Sequence, residues 1–163
     1  MTVKPSVVSL KAPVPADRAR VREIVEDTGV FRPEEVEIAL EVFDGATEEP
    51  GVDYAAIGAY EDDYLVGFAC YGPTPCTTGT WDLYWIAVDP ATHRHGIGRK
   101  LAEVCERMII KNGGRLVVAE TSSRADYGPT RAFYEALGYG VAARVAEFYA
   151  PQDDLVLYTK RLS

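Results

Sequence analysis

The chain has 163 residues, 47% of them hydrophobic, which suits one folded domain with a substantial core and argues against disorder. Its formal net charge of −8 at pH 7 disfavours a nucleic-acid partner that depends on broad phosphate neutralisation and is compatible with a cationic substrate. No apolar run reaches the length of a bilayer span and the first residues lack the apolar core of a signal peptide, so the expectation is a cytoplasmic protein with no membrane partner.

Residues 6–10 read as a first strand, followed by the Pro13-Val14-Pro15 break. From 16 to 27 the apolar positions Val21, Ile24 and Val25 fit one face of a helix that ends near Thr28-Gly29. A second helix starts at Pro33 with the stripe Val36, Ala39, Leu40 and Phe43. Glu34, Glu35 and Glu37 crowd its first turns, where negative charge meets the positive end of the helix dipole. Residues 44–53, acidic and carrying Gly45 and Pro50-Gly51, read as a loop. Residues 54–60 and 64–71 form two strands joined at Glu61-Asp62-Asp63, an antiparallel hairpin by loop length. The connector 72–79 then delivers the chain to a dense apolar and aromatic run starting at Trp81, which reads as a buried strand.

After this strand comes the loop His93-Arg94-His95-Gly96-Ile97-Gly98, and after Gly98 a helix with Leu101, Val104, Cys105, Met108 and Ile109 at helical spacing. Glycines let a backbone turn sharply and approach a ligand with no Cβ in the way. The first amides of the helix, its positive dipole end, Arg94, Arg99 and Lys100 all favour an anion there. The loop has neither the Gly-Lys-Ser/Thr ending of a nucleotide-triphosphate loop nor the three-glycine dinucleotide fingerprint. Gly113-Gly114 stops the helix, and 116–119 is a strand ending at Glu120. Strand, helix, strand implies a right-handed crossover between parallel strands, with a ligand at their carboxyl ends. A short helix lies within 127–139, with Pro129 in its first turn and Gly138 at its end. Residues 140–149 and 154–162 form two last strands around the turn at 150–153. Cys70, Cys76 and Cys105 are odd in number and lack metal-ligand spacing, so they read as small apolar residues and no metal site is expected.

The loop at 93–98 resembles the acyl-CoA site of the GNAT acyltransferase superfamily, a strand, then Gln/Arg-x-x-Gly-x-Gly/Ala, then a helix; here His93 stands where the family has Gln or Arg. Residues 127–139 resemble the family's second signature, Asn-x-x-Ala-x-x-Phe/Leu-Tyr-x-x-x-Gly-Phe/Tyr, with Tyr127 in place of Asn and Thr130 in place of Ala. The resemblance implies an α/β (α+β) fold in a single GNAT-like domain, 1–163. Its central mixed, mostly antiparallel sheet would have about seven strands, flanked by about four helices, with a parallel fourth strand, third helix and fifth strand forming the acyl-CoA site. It implies acetyl-CoA as cofactor, held by main-chain groups at His93, Arg94, His95, Gly96, Ile97, Gly98 and Arg99, with Thr130 nearby. Tyr134 falls at the family's general-acid tyrosine. In the family the second helical region often overhangs the acceptor pocket, which makes Phe31, Arg32 and Glu35 candidate substrate contacts, and Tyr149 or Phe148 borders the same pocket.

Acetyl transfer from a thioester needs a carbonyl held near the acceptor, a group to take a proton from an ammonium, and a donor to the departing thiolate. Main-chain N–H groups at Ile86, Ala87 and Val88 suit the carbonyl, and the Tyr134 hydroxyl suits the sulfur. Two carboxylates compete as base. Asp82 lies four residues before Ile86, where some family members carry a catalytic Glu, and ranks ahead of Glu120. The expected function is an acetyl-CoA-dependent N-acetyltransferase acting by direct transfer in a ternary complex. The expected acceptor is a small-molecule amine, with a protein or peptide amine also compatible, and a homodimer is compatible with the sequence. A non-catalytic acyl-CoA sensor of the same fold is the alternative from another class.

Overall fold

A computed structural model describes residues 7–92 and 96–162. Its strands are β1 (Val8–Lys11), β2 (Ala55–Glu61), β3 (Tyr64–Pro73), β4 (Thr80–Val88), β5 (Leu116–Ser122), β6 (Gly140–Ala150) and β7 (Asp153–Arg161). Its helices are α1 (Arg18–Asp27), α2 (Pro33–Glu48), α3 (Ile97–Lys111) and α4 (Gly128–Ala136), with single 3-10 turns at Pro15–Asp17 and Ala125–Tyr127. The strands form a seven-stranded sheet in the order β1-β2-β3-β4-β5-β7-β6. β4 and β5 are parallel, whereas β1/β2, β2/β3, β5/β7 and β6/β7 are antiparallel, which is the mixed arrangement expected.

The chain forms two compact units. The first holds β1, α1, α2, β2, β3 as far as Tyr71, β4 from Trp85 and α3 as far as Cys105; the second holds the remainder. In the first unit the β2/β3 hairpin closes through Asp62 and Asp63, both left-handed (φ 47° and 65°), the geometry that matches the right-handed twist of paired strands. Val21, Ile24 and Val25 of α1 join Val36, Ala39, Leu40 and Phe43 of α2 in one core with Tyr60, Leu65, Phe68 and Cys70. Residues 65–71 of β3 are buried without alternation, so the sequence there is a continuous apolar run rather than a period of two.

Two boundaries differ from those the sequence suggests. The segment from Asp44 is not a loop, because α2 continues to Glu48. Packing selects glycine at this helical position: a Cβ on residue 45 would lie 2.8 Å from Cδ2 of Tyr54, and Ala46 beside it is buried. Burial outweighs the roughly 1 kcal/mol helical penalty of a glycine. The first helix likewise begins only at Arg18, after the 3-10 turn, in which Asp17 Oδ2 accepts from the Val14 amide.

In the second unit, α3 ends in a Schellman motif. Gly113 is left-handed (φ 83°), and the Gly114 amide donates to Ile109 O (2.8 Å). Gly114 also has no room for a side chain, since a Cβ would collide with Ile109 Cγ2. β5 pairs with β7 from Leu116↔Arg161 to Ser122↔Leu155, and Thr121 Oγ1 donates to Val156 O (2.7 Å). Arg131 of α4 donates to the carbonyls of Ser122 (2.6 Å) and Arg124 (2.9 Å), tying that helix to the exit of β5.

Candidate active site

The turn into α3 lies in the first unit. Ile86 and Val88 at the end of β4 are half-buried and Ala87 is buried. His93, Arg94 and His95 lie outside the described residues. Gly96 is left-handed (φ 90°), a conformation that L side chains rarely adopt, and a Cβ on it would meet nothing within 4 Å. Conformation, not space, therefore selects glycine at 96. The Lys100 amide donates to Gly96 O (3.0 Å), which begins the helical ladder. An α-helix leaves its first amides without acceptors inside the helix, and at α3 these include Gly96, Ile97 and Gly98. Ile97 is buried and anchors the turn, while Arg99 and Lys100 are exposed, Arg99 facing Glu103 at 3.9 Å. Main-chain donors on an open glycine turn, at the positive end of a helix and flanked by two cations, form a donor set that fits a diphosphate.

The carboxylates lie in the second unit. The β4/β5 pairing runs from Thr80↔Leu116 to Asp82↔Val118 and stops there, although both strands continue. Residues two apart on a strand share a face, so Asp82, Tyr84 and Glu120 project from the same side of the sheet. One Asp82 oxygen accepts from Thr74 Oγ1 (2.6 Å) and from the Tyr84 hydroxyl (3.3 Å). Partial burial and then the neighbouring Asp82 charge push the Glu120 carboxyl above the usual carboxylate range. Thr74 and Tyr84 carry no motif that marks them in the sequence. The period of two links Tyr84 to Asp82, but Thr74 belongs to the connector after β3, and only the fold reveals it.

Tyr134 lies on α4 and is 4% exposed. Its ring is stacked on Tyr158 (centroids 5.9 Å) and met edge-on by Phe133 (5.5 Å) and Tyr139 (5.2 Å). The spacing of the signature has a local cause. Gly138 is left-handed (φ 91°), its amide donates to Glu135 O (3.1 Å), and the Tyr139 amide donates to Tyr134 O (3.0 Å). That is a Schellman cap whose accompanying apolar contact is the Tyr134–Tyr139 pair. Thr130 sits one turn earlier on α4, half-buried.

Other candidates have visible partners. Phe31 packs edge-on against Trp85 (4.8 Å) at the margin of the first core. The Glu35 carboxylate accepts from the Arg32 amide (2.7 Å) and thereby caps α2. Tyr149 packs edge-on against Phe148 (5.0 Å) at the end of β6, where Phe148 is exposed. Cys70 and Cys105 are buried and Cys76 is exposed. Among the described residues, no group of three His, Cys, Asp or Glu side chains is placed to hold a metal ion, and no helix is long and apolar enough to cross a membrane.

Residues 19–139 match the family model described as the acetyltransferase (GNAT) family. A GNAT-family protein from Desulfovibrio desulfuricans superposes with a TM-score of 0.91 at 42% identity, over 96% of this chain and 100% of that one. The ribosomal-protein-S18-alanine N-acetyltransferase of Escherichia coli gives 0.76 at 22% identity, over 96% and 95%. A Salmonella typhimurium protein solved with its cofactor acetyl-CoA gives 0.75 at 20% identity, over 96% and 94%. The last two are likenesses of fold alone. No curated protein sequence matches the chain. Both the turn into α3 and the Tyr134 helix with its cap at Tyr139 fall inside the matched stretch. The chain belongs to the GNAT family of acetyltransferases.

Proposed function

We propose that residues 1–163 act as one acetyl-CoA-dependent N-acetyltransferase domain that passes the acetyl group directly to a primary amine in a ternary complex. The observation that carries the reading is the main-chain donor set at the head of α3, in a chain of acetyltransferase family. Relatives of the same fold bind acetyl-CoA or coenzyme A, which supports that cofactor here.

When bound, acetyl-CoA supplies an activated acetyl thioester with a good leaving group. The amides of Ile86, Ala87 and Val88 orient the carbonyl, and the turn at 96–98 holds the diphosphate. Glu120 takes the proton from the incoming ammonium, since a raised carboxyl is a better proton acceptor than an ordinary one. Desolvation raises it first, and Asp82, held by Thr74 and Tyr84, adds a neighbouring negative charge. Tyr134 donates its hydroxyl proton to the departing sulfur, with its ring fixed by three aromatic neighbours. No acyl-enzyme is required: Cys105 is buried on α3, and Cys76, though exposed, has no histidine near it in the sequence to activate it.

The acidic chain and the paired carboxylates favour a small cationic amine as acceptor over a protein or peptide amine. Thiol release from acetyl-CoA, measured against a panel of small amines, peptide N-termini and lysine peptides, tests the proposal. Release above background with at least one amine is expected. Confirmed CoA binding with no release for any acceptor class would turn the reading to a binding module.

A further inference from the structure

Arg20 lies on α1, a helix that carries none of the residues assigned above, and its side chain is only 13% exposed. A guanidinium that far from water needs partners. Nε donates to Leu65 O on β3 (2.8 Å), Nη1 donates to Glu23 (3.1 Å), and Nη2 donates to Asp89. The guanidinium also lies over the Tyr64 ring, 4.3 Å from its centroid.

Asp89 is the first residue after β4 and is 9% exposed. Its amide donates to Val66 O (2.8 Å), its carboxylate accepts from the Ala91 amide (2.9 Å), and its carbonyl accepts from the Thr92 amide (2.9 Å). Burial opposes its ionisation, but the Ala91 amide and Arg20 outweigh burial and hold the carboxyl below the usual range. The exit from β4 is thus bound through its main chain to β3 and through its side chain to α1. Downstream, the start of α3 is seated just as closely. A Cβ on Gly67 of β3 would lie 3.2 Å from Ala87 O, 3.3 Å from Leu101 Cδ1 and 3.4 Å from Ile97 Cγ2.

We infer that Arg20 is a positioning residue for cofactor binding: its ion pair with Asp89 fixes the exit of β4, so that the main-chain donors at Gly96, Ile97 and Gly98 meet a diphosphate already arranged. The inference rests on the CoA reading above. Side-chain donors can re-aim after a local shift, whereas main-chain donors move only with the backbone that carries them. Their contribution therefore depends on how firmly that backbone is held before binding.

The test uses the full chain with Arg20→Met, Arg20→Lys, Asp89→Asn and the double variant R20M/D89N. Removing one partner of a buried pair leaves an uncompensated charge, so a single variant can lose stability outright. The double variant removes both charges and keeps the comparison available. Calorimetry with CoA and with dephospho-CoA, which keeps the diphosphate, is set beside NMR competition with pantetheine, which lacks it. Arg20→Met and the double variant should bind both diphosphate ligands about tenfold more weakly, the equivalent of about 1.4 kcal/mol. Pantetheine should change less than about twofold, and Arg20→Lys should recover part of the loss. A general loss of structure would lower all three affinities together and would overturn the inference, as would variants that bind CoA like the unsubstituted protein. If the unsubstituted protein itself fails to bind CoA, the cofactor reading falls and the inference with it.

Discussion

In the proposed mechanism the turn into α3 and the carboxylate–tyrosine region meet chemistry in opposite ways. The first offers main-chain amides, so its requirements fall on the conformation of Gly96 and on the packing behind the turn, at Gly67, Arg20 and Asp89. The second offers side-chain oxygens, so its requirements fall on the identity of Asp82, Glu120 and Tyr134 and on neighbours such as Thr74 and Tyr84 that hold them. The contrast separates two kinds of damage. Changes in the first region should appear in cofactor affinity or stability, and changes in the second in turnover.

The sharpest way to break this contrast is Tyr134→Phe, which removes one oxygen from a ring fixed by its neighbours. Turnover should fall about 10²–10³-fold with CoA affinity changed less than twofold; steady-state kinetics beside calorimetry reads both, and unchanged turnover removes the acid assignment. Glu120→Gln should lower turnover by about 10²-fold while making the protein more stable at neutral pH. The sign follows from the raised carboxyl. The folded state holds the Glu120 proton more tightly than the unfolded state, so ionisation weakens the fold as pH rises from the ordinary carboxylate range through the higher folded value. Gln escapes that loss, and its gain in Tm at pH 7 should vanish near pH 4. A variant equally stabilised at both values would show that the gain is not electrostatic.

Smaller effects sharpen the other half of the comparison. Gly96→Ala places a Cβ in open space but at a left-handed φ, which costs about 1–2 kcal/mol and should weaken CoA binding up to about tenfold. Gly96→Asn tolerates that conformation and should lose less, so equal losses in calorimetry would point to sterics instead. Gly67→Ala should cost about 1–2 kcal/mol and lower Tm by about 3–6 °C, because Ala87 O, Leu101 and Ile97 must give way. Thermal unfolding at the wild-type level would show that the seat of α3 has slack.

Much of the fold is legible in the order of residues. The α2 stripe Val36, Ala39, Leu40 and Phe43 lies in the core, and Gly113 and Gly138 end their helices in the left-handed conformation. The end of α2 is not legible, because glycine is ambiguous: Gly45 looks like a breaker, yet α2 runs through it, and Tyr54 fills the space a side chain there would need. Position in the chain puts Asp82 ahead of Glu120 as candidate base. What distinguishes the two is the surroundings of each oxygen, namely Thr74 and Tyr84 on Asp82, and for Glu120 desolvation with the Asp82 charge nearby.

The family, the succession of strands and helices along the chain, the glycine turn into α3 and the place of Tyr134 on its helix are all readable from the residues alone. Each is encoded by residues close together in the chain, where periodicity and left-handed glycines act locally. Which distant groups share a neighbourhood depends on how the elements pack. Arg20 and Asp89 are 69 positions apart, and nothing in either segment names the other. Their pairing follows from α1 and the exit of β4 being carried against the same strand, β3, where a buried guanidinium and a buried carboxylate each supply what the other lacks.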